Sequence, residues 1–215
     1  MVGYVEFREK LLPVGCFSIH QARMLFPAFD RNSLMWLIKK GLLVRLRQGW
    51  YAFPELLQRV DFVRYIAGQI YRPSYISLHT ALSFYGMIPE GVVSLTSISP
   101  LKTAFFENAF GQYTYYHVKP ELFFGYKPMP LLLNHSVDNS SSMAWMLAHP
   151  EKALLDLLYL YPFYNTEQEM IDLRLDEEFM AEDLDLERLG TYLETMHSKA
   201  LDARVELLLK AYGLL

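Results

Sequence analysis

The 215-residue sequence predicts an α+β fold in two parts, and three observations carry that expectation. Charge divides the chain: residues 1–72 hold 11 Lys/Arg against 5 Asp/Glu, net +6, and residues 73–215 hold 9 against 19, net −10. Between residues 18 and 53, two short stripes of helical period with capping residues run into a basic pattern of strand period. Beyond residue 73, alternating segments are enclosed by helical ones, the signature of a mixed sheet with helices. Apolar residues make up 52% of the chain and aromatics 15%, which excludes general disorder. The length suits one large domain or two small ones with a proper core. A basic end joined to an acidic remainder suggests a polyanion-binding surface, although uneven solvation of two surfaces also produces such a split.

The elements of the first part follow in order. A first helix fits residues 2–12, with Val5 and Leu12 on one face, Tyr4 and Leu11 beside them, and Pro13 and Gly15 ending it. Ser18 opens a second helix, and Gln21 three residues on completes a capping-box spacing. Ile19, Ala22, Leu25 and Phe26 form its apolar stripe, and Pro27 stops it. Asp30 is the next cap, reaching the amide of Ser33. In the third helix, residues 31–40, Leu34, Leu37 and Ile38 share a narrow arc. At ~100° per residue Asn32, Trp36 and Lys39 project to the opposite side, flanked by Met35 and Lys40. An amide, an aromatic ring and lysines on a solvent face suit a major groove, where Asn pairs with adenine and Lys with guanine or phosphate. The bland alternative is that Trp36 folds back as packing and the lysines solvate the negative end of the helix.

Gly41 fits a left-handed helix end. Val44 and Leu46 then point inward and Arg45 and Arg47 outward, Gln48-Gly49 supplies a turn, and residues 50–53 return as a second strand. Two capped helices followed by a hairpin with arginines at its tip make the pattern of a winged helix-turn-helix, whose wing straddles phosphates or enters a minor groove. Residues 54–71 read as one longer bridging helix, with Leu57, Val60, Phe62, Val63, Ile66 and Ile70 as its stripe. Arg59, Arg64 and Arg72 either extend the basic surface or are merely solvated. The preferred boundary is Arg72-Pro73.

In the second part Ser77 caps a short helix ended by Gly86. Strands are expected at 92–99, 111–119 and 131–137, with a fourth at 143–148. A helix then starts at Pro150, with Leu154, Leu157 and Leu158 as its buried face and Tyr161 adding bulk. The stretch 166–196 carries eleven Asp/Glu and two Arg, and a last helix covers about 198–212. Clusters such as Asp176-Glu177-Glu178 and Glu182-Asp183 suit a basic partner or a cation, but equally the solvated starts of helices.

Known catalytic patterns are missing. His20, His79, His117, His135, His149 and His197 are scattered, and no HExxH, Walker A, G-x-G-x-x-G or G-x-S-x-G motif occurs. Cys16 is the only cysteine, so neither an internal disulfide nor a Cys-based zinc site is expected. Glu151, Lys152 and Asp156 faintly suggest a carboxylate–lysine nuclease centre. Helical placement explains them better: Glu151 favourable with the dipole and Lys152 exposed. No signal segment or ~20-residue apolar span is visible, so a cytoplasmic protein that does not enter a membrane is expected.

The segment KKGLLVRLRQGWYAF resembles the first domain of AbiEi-type antitoxins, the regulators of type IV toxin–antitoxin and abortive-infection systems. YISLHTALSFYGMIPEGVVSLTSISP, the T-x-x-F-x-N-x-F-G-Q-Y-T-Y stretch from Thr103 to Tyr115, KPELFFGY, HPEKALLDLLYLYP and LRLDEEFM are similar to later landmarks of the same family. Together they cover most of the chain. The resemblance implies a DNA-binding repressor of its own operon that counters a nucleotidyltransferase-like toxin, with no active site, metal or cofactor of its own. It places Arg31, Asn32, Ser33, Trp36, Lys39 and Lys40 of the third helix, and Arg45, Arg47 and Gln48 of the wing, on double-stranded DNA. The expected operator is an inverted repeat in the chain's own promoter, bound by a dimer or by two cooperating molecules. The implied domains are a winged helix-turn-helix over 1–72 and an antitoxin domain of mixed sheet plus helices over 73–215, with a helical, acidic C-terminal part. Direct contact with the toxin is not part of what the family implies, so no toxin-contacting residue follows. Two rival functions stay open: a protein-interaction module that docks through the acidic stretch, and a nucleic-acid enzyme built on Glu151, Lys152 and Asp156.

Overall fold

The computed structural model describes residues 3–131 and 143–215, and it is a mixed α+β fold. Three helices, α1 (Tyr4–Leu11), α2 (Ile19–Leu25) and α3 (Arg31–Lys39), precede a hairpin of β2 (Val44–Arg47) and β3 (Trp50–Ala52). A short β1 (Cys16–Ser18) pairs antiparallel with β3, so the small sheet runs β1-β3-β2. The helix starts are those the caps predict. Ser18 and Gln21 form a complete capping box, and the Asp30 carboxylate accepts the Ser33 amide at 2.7 Å. Gly41 at φ +69° and Gly49 at φ +83° take the left-handed backbone that lets α3 end and the hairpin turn.

Residues 54–71 form two elements instead of one. A 3-10 helix, Pro54–Gln58, gives way at the extended Arg59 to α4 (Val60–Ile70). Among the described residues six strands and five α-helices follow: β4 (Tyr75–Ile76), α5 (Leu78–Phe84), β5 (Ser94–Ser99), β6 (Ala104–Asn108), β7 (Gly111–His117), β8 (Tyr126–Pro130), β9 (Ala144–Ala148), α6 (Pro150–Leu160), α7 (Glu167–Ile171), α8 (Leu186–Met196) and α9 (Lys199–Ala211), with a π-helical turn at Phe179–Asp183. Their six-stranded sheet runs β6-β7-β5-β4-β9-β8, with β4 antiparallel to β5 and parallel to β9. The strand expected at 131–137 lies almost wholly outside the described residues. β6 and β8 were not expected. β8 carries Pro128 and Pro130 at the edge of the sheet, where a missing amide costs no ladder hydrogen bond.

Two compact units result. The first comprises 1–72 together with 105–113 and 129–145, and the second takes the remainder. A chain break at Arg72 therefore does not bound the first unit, which recruits two later segments. Its core is aromatic. Phe7 lies 4.7 Å from Phe29, 5.4 Å from Phe26 and 5.7 Å from Phe17, ring centre to ring centre, with Leu34 and Leu37 of α3 buried in the same cluster.

Candidate nucleic-acid interface

α3 is split lengthwise. Leu34 and Leu37 are 5% exposed and anchor the helix, while Arg31, Asn32, Met35, Trp36, Lys39 and Lys40 are exposed. That division is what the 3.6-residue period dictates for a helix lying on one core. Trp36 is 53% exposed, so it does not fold back as packing. Ser33 is half-buried, and both its amide and its hydroxyl serve the Asp30 cap.

Several cations elsewhere in the unit are paired. Arg8 pairs with Glu55, Lys10 with Glu6 and Arg64 with Asp61. Among the described residues no hydrogen bond or ion pair engages the side chains of Arg31, Lys39, Lys40 or Arg45. Four cations without counter-ions, from α3 and the strand that follows it, make a surface able to exchange bound anions for phosphates.

The hairpin departs from the strand-period expectation at one residue. Arg45 is exposed and Leu46 buried as predicted, but the register shifts between Arg45 and Arg47, so Arg47 turns inward. Its guanidinium lies 4.7 Å from the Phe106 ring and 5.8 Å from the Tyr71 ring, and it donates to the Ile70 carbonyl. The expected outward, phosphate-facing Arg47 is thus corrected to a residue held within the first unit. Asn108 adds to this by donating to the Leu46 carbonyl at 3.1 Å. Arg45, Gln48 and the 55%-exposed Phe105 share the rim of a depression of about 420 Å³ here, with Glu107 as its only acid. Phe105, Phe106 and Asn108 escaped sequence reasoning as neighbours of the hairpin, because residues some 60 positions apart carry no local signal of proximity. The alternation of Phe106 and Asn108 with exposed neighbours was the only available hint of β6.

In the second unit, the trio that faintly suggested a nuclease is buried. Lys152 and Asp156 are fully inaccessible and Glu151 is 1% exposed, which overturns the expectation of an exposed Lys152. Lys152 pairs with Asp156 one helical turn on and donates to the Tyr75 hydroxyl at 3.0 Å. Tyr75 and Ser77 in turn donate to the other Asp156 oxygen at 3.0 and 2.7 Å. Ser77 therefore spends its hydroxyl on Asp156 and not on capping α5, contrary to the cap expected of it. Leu78 beside it is fully buried at φ +57°, a conformation a branched residue holds only when its surroundings over-determine it. Burial and the Asp156 charge push the Tyr75 phenol well up, so it remains a neutral donor. Glu151 accepts the Asp185 amide at 3.1 Å and faces Arg188 at 3.4 Å. Every charge here has a partner and no substrate reaches it, which is the arrangement of a structural clamp.

Among the described residues no group of His, Cys, Asp and Glu could hold a metal ion, and no helix is long and apolar enough to cross a membrane. No family model matches the chain, and no curated protein matches it either.

Proposed function

We propose that the chain is a sequence-specific regulator that binds duplex DNA through a winged helix-turn-helix in its first unit. The observation that carries this is the exposed half of α3, where Arg31, Lys39 and Lys40 stand without acidic partners around an unengaged Asn32. α3 is the recognition helix. Lys39, Lys40 and Arg31 neutralise phosphates, and Asn32 reads a base edge. Arg45 and Gln48 supply the wing, while Arg47 stiffens its base. The resemblance to AbiEi-type antitoxins extends this to an autorepressor acting at an inverted repeat in its own promoter as a dimer. The function it opposes there is a nucleotidyltransferase-like toxin.

Fluorescence anisotropy on a duplex from the chain's own upstream region tests the DNA reading. Affinity should fall steeply between about 50 and 200 mM salt, and Lys39→Ala, Lys40→Ala or Arg45→Ala should each lower the log–log slope by about one. Arg47→Ala should leave that slope unchanged. Asn32→Ala should change base preference. A salt-independent affinity, or equal retention of a scrambled duplex, would sink the proposal. The antitoxin part stands or falls on whether co-expression relieves the toxicity of a neighbouring nucleotidyltransferase-like protein.

A second reading, a protein-docking module, draws on the exposed Asp176, Glu177, Glu178, Glu182 and Asp183. Co-purification of a basic protein without retention on promoter DNA would favour it.

A further inference from the structure

Beside the exposed face of α3 lies a groove of about 670 Å³, between the start of α1 and the first turns of α3. That volume falls within the ~300–1,000 Å³ typical of small-molecule sites. Its lining is aromatic. Phe7 and Phe29, stacked at 4.7 Å and almost fully buried, provide the floor, and Tyr4 and Trp36 the walls. Asn32 stands in the lining with its side-chain amide unengaged, a donor and an acceptor side by side.

The charge of the groove differs from that of the face around it. Arg31, Lys39 and Lys40 are all absent from its lining, and among the described residues the one charged group that lines it is the Asp30 carboxylate. The Ser33 amide and hydroxyl hold that carboxylate below its usual range, so it is ionised at neutral pH. Among the described residues that line the groove, an entering anion meets a fixed negative charge and no cation, so neither a DNA phosphate nor a free carboxylate is a suitable occupant. A flat, uncharged ring system with a donor–acceptor edge matches both the aromatic lining and the Asn32 amide.

We infer that this groove is a binding site for an uncharged planar heteroaromatic molecule, with its ring against Trp36 and its polar edge on Asn32. A purine nucleoside fits that description and is the natural probe. Since Asn32 and Trp36 also belong to the DNA-facing side of α3, an occupant competes with duplex DNA. That consequence alone rests on the function proposed above.

The binding test needs no DNA. Adenosine titrated into the full chain should quench Trp36 fluorescence saturably at millimolar concentration or below, and Trp36→Phe should remove the optical signal. The same variant should still show adenosine-dependent shifts of the Asn32 and Phe29 amides by NMR, because phenylalanine preserves stacking. Asn32→Ala should weaken binding about tenfold, the value of one good hydrogen bond. AMP, the same ring with a phosphate, should bind at least tenfold more weakly than adenosine. No saturable response to adenosine, or AMP binding as tightly, overturns the site. A duplex competition then separates the two proposals. Adenosine binding to a chain that ignores DNA keeps the site and removes the regulatory role, and duplex binding without an adenosine response does the reverse.

Discussion

At the scale of single residues, the sharpest problem in the chain is a lysine with no surface in water. Stripping an ammonium of its hydration costs several kcal/mol, and the cost is offset only where an opposite charge and further hydrogen bonds lie within reach. Asp156 supplies the charge, while Tyr75 and Ser77 complete the shell around the carboxylate. Lys152→Met should therefore cost about 3–5 kcal/mol, because it leaves a buried carboxylate without its counter-ion. Asp156→Leu should cost a similar amount for the converse reason. The double variant should lose less than the sum of the two, and a urea-unfolding cycle on the four proteins measures that coupling directly. Additive losses would mean that the pair is not one unit. Lys152 was read from the sequence as exposed because its helix position sits at a polar-looking start. What decides its burial is Tyr75, 77 positions away in sequence. Arg47 teaches the same lesson from the opposite side, since strand period sends it outward and a one-residue register shift brings it in.

At the scale of elements, what the sequence discloses is what is settled within a few residues. Ser18 with Gln21, Asp30 with Ser33, Gly41 and the Gln48-Gly49 turn all act across three positions or fewer, and all were legible. The amphipathic split of α3 was legible too, since one period fixes both its buried and its exposed arcs. Ser77 was misjudged as a cap because its true acceptor lies on another helix. β8 was invisible because two prolines mask an edge strand. Caps give direct tests. Ser18→Ala should destabilise the first unit by about 1 kcal/mol, read as a shift in the thermal midpoint. Asp30 adds a pH dependence. Capping holds its carboxyl below 3.8, so its contribution is complete above that value and fades as pH falls through the lowered folded value. Asp30→Asn keeps a capping oxygen but cannot titrate. Its thermal midpoint should fall less between neutral and strongly acidic pH than that of the native chain, and parallel acid profiles would remove Asp30 from the linkage.

At the scale of the whole molecule, a boundary placed by charge and a boundary placed by packing are different things. The charge contrast puts the break at Arg72, but the first compact unit also takes in 105–113 and 129–145. Those segments add Glu107 and Asp138 to the +6 of residues 1–72, leaving +4, so this unit is less basic than its contiguous stretch suggests. They also complete its packing. Phe110 is 8% exposed and lies 5.4 Å from Phe62, Phe106 covers the Arg47 guanidinium, and Asn108 holds the Leu46 carbonyl. A fragment of residues 1–72 loses all three and bares Phe62, Leu46 and the side of Arg47. Truncating one buried Phe costs about 3–5 kcal/mol, and for a unit of this size each kcal/mol moves the midpoint by roughly 4–8 °C. The fragment should accordingly melt at least ~10 °C below residues 1–145, with a broader transition by circular dichroism and greater binding of a hydrophobic dye. Phe110→Ala in the full chain should reproduce part of that shift. A fragment that melts as sharply and as high as the longer chain would return the boundary to Arg72 and make β6 a neighbour of the hairpin without being its support.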